Sequence, residues 1–196
     1  MSEHPRIATR ISAAELERRW AAVRTVMKAQ GLDAVIAQAT NDWLGGNVKW
    51  LTDIPANNHY PRTVVFHADD LMTIVEMGVF GGERKLEGKD PIHRGVGKIL
   101  TVPSFPSINY TVPYDADLAA GELKRRGAKR VGLMTPGGFL AGFHQRLAQA
   151  LDGVDLIDAT DALDAVKAIK SEEERDLIRR AALLQDEVFA EVCKFI

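Results

Sequence analysis

Between Asp53 and Arg62 the chain collects a carboxylate, two amides, an imidazole, a phenol and a guanidinium: Asp53, Asn57, Asn58, His59, Tyr60 and Arg62. Pro55 and Pro61 interrupt any regular backbone there, so the stretch reads as a loop. A guanidinium can grip a carboxylate through paired hydrogen bonds, and an aromatic ring can cover an apolar or cationic group. Recognition is one reading of this loop. A solvated loop in which Tyr60 merely covers a sheet edge is the other, and spacing alone does not choose between them. Elsewhere the chemistry is sparse. Five histidines occur, His4, His59, His67, His93 and His144, none at ligand spacing from another His, a Cys or a carboxylate. The H-E-x-x-H and C-x-x-C patterns are missing, so no metal site is expected from this chain alone. A nucleophile elbow, a P-loop and a dinucleotide fingerprint are missing too. Gly78-Val79-Phe80-Gly81-Gly82 lacks the third glycine and the following helix that phosphate binding needs, and reads as a flexible connector. Thr135-Pro136-Gly137-Gly138 could offer free amides to an anion; a tight strand-to-helix turn capped by Thr135 is the reading taken.

A chain of 196 residues, 46% apolar, with a formal net charge of −2, has the size and composition of one globular domain with or without a tail. The charge gives no basic excess for nucleic acid or an anionic membrane. No apolar run approaches a membrane span of roughly 20 residues, and the amino end carries no signal-peptide h-region. A single cysteine, Cys193, rules out an internal disulfide framework and fits a reducing compartment, so a cytoplasmic setting is expected.

The elements that must hold the loop follow from pattern. Residues 1–11 read as a loose lead-in. Ser12 with Glu15 forms a capping-box signature, and Leu16, Trp20, Val23 and Met27 give one apolar helix face that Gly31 closes. Leu32–Ala37 reads as a strand buried on both faces. Asn47–Thr52 is expected to be a second strand, and Arg62–His67 with Leu71–Glu76 a hairpin around Ala68-Asp69-Asp70. Gly78–Gly97 reads as a linker. Further expectations are a strand at Lys98–Val102, a helix from about Asp115 to Arg126, a strand at Arg130–Met134, a helix at Phe139–Leu151, a strand at Val154–Asp158 and a short helix at Ala159–Lys167. Helices alternating with buried strands predict a three-layer α/β sandwich around a mixed sheet.

After this comes a junction. Ser171 and Glu174 make a second capping box, and Glu172, Glu173 and Glu174 favour the positive end of a new helix. Leu177, Ala181, Leu184, Val188 and Val192 then repeat at steps of four, three, four and four, with nothing later in the sequence to pack against. The expected organisation is therefore a domain over 12–169 and a linker helix over 170–196, with the sequence read as the front part of something longer; a terminal helix that docks back on its own domain is the alternative.

The residues at this junction resemble the amino-terminal domain of the creatinase, prolidase and aminopeptidase P family, the pita-bread metalloenzymes. Val166-Lys167-Ala168-Ile169-Lys170-Ser171-Glu172-Glu173-Glu174 is similar to the family's L-R-x-I-K-S-x-x-E linker, with Lys167 for arginine. Asn47–Thr52 resembles its N-x-x-Y-L-T-G segment, with Trp50 as the aromatic and Asp53 where glycine is usual, and Gly31–Ile36 looks like its opening. The resemblance implies a ribonuclease-H-like α/β fold of the creatinase N-terminal type and a role in oligomerisation. It also implies gating of a neighbouring subunit's active site by the Asp53–Arg62 loop. A following catalytic domain would hold two divalent ions, Mn, Co or Zn, with ligands beyond this sequence. The implied partners are that domain and, in the whole protein, a second copy in a homodimer. A freestanding module for a small molecule or anion, and an interaction domain using its terminal helix, remain open at this point.

Overall fold

The computed structural model describes residues 10–40, 46–55 and 60–195. Its frame starts with helix α1 (Ala13–Gln30), which Gly31 ends in the left-handed conformation at φ 66°. Strand β1 (Ala34–Ala39) follows, buried over nearly its whole length as a two-sided strand must be. Helix α2 (Asn47–Thr52) leads to the hairpin of β2 (Arg62–His67) and β3 (Met72–Met77). Then come β4 (Gly82–Lys85), β5 (Val96–Val102) and α3 (Tyr114–Arg125). The chain continues with β6 (Arg130–Met134), a 3-10 turn at Pro136–Gly138, α4 (Ala141–Ala150) and β7 (Asp155–Asp158). It closes with α5 (Thr160–Ala168) and the long α6 (Glu172–Val192).

The seven strands form one mixed sheet in the order β4-β5-β3-β2-β1-β6-β7. β1 pairs antiparallel with β2 and parallel with β6, while β3 pairs antiparallel with β2 and parallel with β5. Each face is sealed by its own apolar layer. Val23 and Met27 of α1, Val48 and Leu51 of α2 and Leu163 of α5 pack on Val35, Val64, Phe66 and Ile74. Ala116, Ala120 and Leu123 of α3 and Phe143 and Leu147 of α4 pack on Ala34, Ile36, Val65 and Val131. The architecture is the expected three-layer α/β sandwich.

Four local expectations are corrected. Asn47–Thr52 is a helix, because Val48 and Leu51 share one buried face and Trp50 is drawn by its indole toward α6. Gly78–Gly97 is more than a linker, since it contains β4, an edge strand antiparallel to β5. The cap at Ser12 is half made: its hydroxyl accepts from Glu15 N, but its own amide donates to Glu173 and Glu15 turns to arginines. Thr135 caps no helix; α4 starts at Ala141, and Thr135 sits at φ 59° with its hydroxyl accepting from the Asn47 amide at 2.9 Å.

Candidate functional site

Asp53 ends α2 in a left-handed conformation, φ 59°, a backbone state that a side chain resists and that must therefore be held from outside. Its carboxylate supplies the hold. Oδ2 accepts from the Ile11 amide at 3.1 Å and from the Arg94 guanidinium at 2.6 Å. Thr52 adds a tight turn, donating from Oγ1 to Val48 O and accepting from Ile54 N. The start of the loop is thus pinned to the lead-in and to the segment before β5.

Its end is pinned as well. Arg62 opens β2 opposite Glu76 of β3, and Nε donates to Glu76 Oε2 at 2.8 Å. Nη1 donates to Pro55 O at 2.6 Å, across the loop itself. The residue is 7% exposed. This guanidinium shapes the loop. Tyr60, partly buried, meets Phe105 edge to face at 5.9 Å, so the loop leans on the β5–α3 connection. Asn57, Asn58 and His59 lie outside the described residues.

The structure ties to this loop a set of residues that the sequence did not single out. Arg19 of α1 is buried and donates three ways: Nε to Glu15 at 2.7 Å, Nη2 to Glu174 at 2.8 Å and Nη1 to Trp50 O at 3.0 Å. Its guanidinium carbon lies 5.2 Å from the Trp50 ring centre, in cation–π range. The Trp50 indole donates to Glu174 at 3.2 Å. Burial alone would raise the Glu15 carboxyl, but hydrogen bonds from Arg18, Arg19 and Ser171 prevail and hold it at about 2. Glu15 and Arg19, four apart on a helix, could have been paired from sequence; nothing local announces Trp50 or Glu174 as their partners.

Among the described residues no group of three or more His, Cys, Asp or Glu side chains lies close enough to hold a metal ion. At the far end of β2, a hollow of about 460 Å³ is lined by Lys98, Glu122, Arg125 and Arg126 among others. Four of its lining charges are engaged with one another or with the neighbouring turn: Glu122 accepts from both Lys98 and Arg125, and Arg126 binds Asp69 and Asp70.

A seven-stranded mixed sheet between two helical layers, followed by a capped exit helix, defines the chain's class: it has the fold of the amino-terminal domain of the creatinase and prolidase type. The Xaa-Pro dipeptidase from Bacillus anthracis matches with a TM-score of 0.65 and 14% identity, over 92% of this chain and 44% of its own. The N-terminal domain of the cytoplasmic peptidase PepQ from Mycobacterium tuberculosis matches with a TM-score of 0.51 and 14% identity, over 76% of this chain and 97% of its own. The N-terminal domain of the FACT complex subunit SPT16 from chickpea matches with a TM-score of 0.58 and 15% identity, over 93% and 45%. The chain thus spans less than half the length of the dipeptidase. No family model and no curated protein matches it by sequence. Among the described residues, no helix is long and apolar enough to cross a membrane.

Proposed function

We propose that the chain serves as the non-catalytic amino-terminal domain of a metal-dependent Xaa-Pro peptidase or creatinase-like hydrolase. In this reading α6 leads to the catalytic domain, which holds two divalent ions such as Mn, Co or Zn. The observation that carries it is α6 itself. Its first turn is locked to the domain, while every residue from Ile178 to Phe195 is exposed, including Leu183, Leu184, Val188, Phe189 and Val192. An apolar surface of that length on a helix calls for a large partner. The fold shared with the Xaa-Pro dipeptidase supports a catalytic domain as that partner. The single cysteine supports a cytoplasmic setting.

The Asp53–Arg62 loop is the part of the domain that reaches a neighbouring subunit in a homodimer. Tyr60 is its contact residue, and Asp53 and Arg62 set its shape. The purified chain, supplied with Mn²⁺, Co²⁺ or Zn²⁺ and an Xaa-Pro dipeptide, is expected to release no proline; metal-dependent release would overturn the non-catalytic role. In a protein that joins this domain to a catalytic one, Tyr60→Ala raises KM several-fold with the fold intact, and unchanged kinetics would remove the gating role. A second reading, an interaction domain that recruits a partner through α6, draws on the same exposed face and on the shared fold of a FACT complex subunit.

A further inference from the structure

We propose that the buried Glu15–Arg19–Glu174 cluster, closed by Trp50, is a clamp that sets the direction in which α6 leaves the domain and couples that direction to the Asp53–Arg62 loop. What α6 carries rests on the reading above; the clamp stands on geometry alone.

Among the described residues, α6 touches the domain at its root. Glu173 accepts from the Ser12 amide and hydroxyl at 2.7 and 2.6 Å. Glu174 closes the capping box on Ser171, with bonds of 3.0 and 3.1 Å, and faces Arg18, Arg19 and Trp50. Beyond Leu177 every described residue of the helix is exposed. A helix of 21 residues is roughly 30 Å long, so about 10° of play at the root displaces its tip by about 5 Å. Direction must be decided within one turn. Arginine suits that task, because its planar fork fixes the angle of each partner where an ammonium or an apolar chain would not.

Residues on either side of the linker hold α2, one near each of its ends. At its start, Asn47 accepts from Lys167 Nζ of α5 at 2.8 Å, just before the linker. Toward its end, the Trp50 carbonyl and indole are taken by Arg19 and Glu174, just after it. α2 straddles the linker, and its last residue hands over to Asp53. A change in the angle of α6 therefore pulls Trp50 and, three residues on, the left-handed Asp53 that starts the loop.

Buried charges of this kind add little net stability against well-packed apolar groups, so direction is the property they supply. That distinction supplies the test. Spin labels at the native Cys193, exposed near the end of α6, and at Lys124→Cys, exposed on α3, report the helix angle as a distance distribution. The expected result is one narrow distribution for the otherwise unaltered chain. A combined Glu15→Leu, Arg19→Met, Glu174→Leu chain should keep its urea midpoint but broaden the distribution at least twofold. Hydrogen exchange over Asp53–Pro55 should quicken about tenfold, with the β2–β3 hairpin unchanged. Should that chain not fold, Trp50→Phe keeps the ring on Arg19, removes the indole donor, and must broaden the distribution and quicken the same exchange. A distribution that stays narrow in the folded variant overturns the clamp; broadening without faster exchange overturns the coupling. Neither readout needs a catalytic domain, so failure here is separable from failure of the peptidase reading.

Discussion

Two buried side chains, Asp115 and His67, pull the pH dependence of stability in opposite directions. Asp115 sits in the first turn of α3. Burial raises it from 3.8 to about 7, against hydrogen bonds from the amides of Asp115 itself and Ala116 and from Gln38, which donates at 3.0 Å. Unfolding would let it ionise from about 3.8 upward, so its contribution is full below that pH and is lost as the pH rises through about 7. His67 is lowered from 6.5 to about 4, first by burial and then by Arg126, against the pull of Glu122, Asp69 and Asp70. The unfolded chain takes that proton first, so its contribution is full above 6.5 and is lost as the pH falls through about 4. Each unit of displacement is about 1.4 kcal/mol, and between pH 4 and 6.5 the two slopes largely cancel. Asp115→Asn should therefore tilt the stability curve upward with pH across that window, and His67→Gln should tilt it downward. Urea midpoints measured at pH 4, 5, 6 and 7 would decide; parallel curves for all three proteins would refute the balance.

At the scale of elements, legibility followed locality. The capping box at Ser171 was readable because both of its bonds close within one turn, and both are present. The hairpin of β2 and β3 was readable for the same reason. Asn47–Thr52 was not, since what holds its Trp50 arrives from α1 and α6, more than thirty and a hundred positions away along the chain. Strand β4 was hidden because its one glycine, Gly82, looks like a linker glycine yet serves close packing. A Cβ on Gly82 would come within 2.2 Å of Thr101 Oγ1. Gly95 makes the same point more severely. At φ 71°, an added Cβ would meet the Trp20 ring at 2.5 Å. That ring cannot easily move, for its indole donates to Leu51 O at 2.7 Å. Gly95→Ala should cost about 1–3 kcal/mol in urea unfolding, whereas the open Gly137 should tolerate alanine within about 0.5 kcal/mol. Equal effects at both would mean that Trp20 is not fixed. Pro55 and Pro61 lie outside regular structure, as the loop reading expects. Arg62 was not legible as a shaping residue, because Glu76 reaches it through strand pairing and Pro55 through a turn of the chain.

At the scale of the molecule, the exposed face of α6 should govern association. Light scattering at increasing concentration should show the chain self-associating, and Leu184→Glu should reverse this without a change in unfolding midpoint. A chain monodisperse as a monomer at every concentration would remove that expectation. The sheet offers no competing route. Its two outer strands end the order at β4 and β7, and both turn charge outward: Glu83, Arg84 and Lys85 on one side, Asp155 and Asp158 on the other. A charged rim resists the addition of a foreign strand. Amyloid-like, strand-by-strand growth is thereby discouraged at both borders while a helical contact stays open. Aggregates of this chain should retain a helical rather than a cross-β signature, fail to bind amyloid dyes, and disperse in mild detergent.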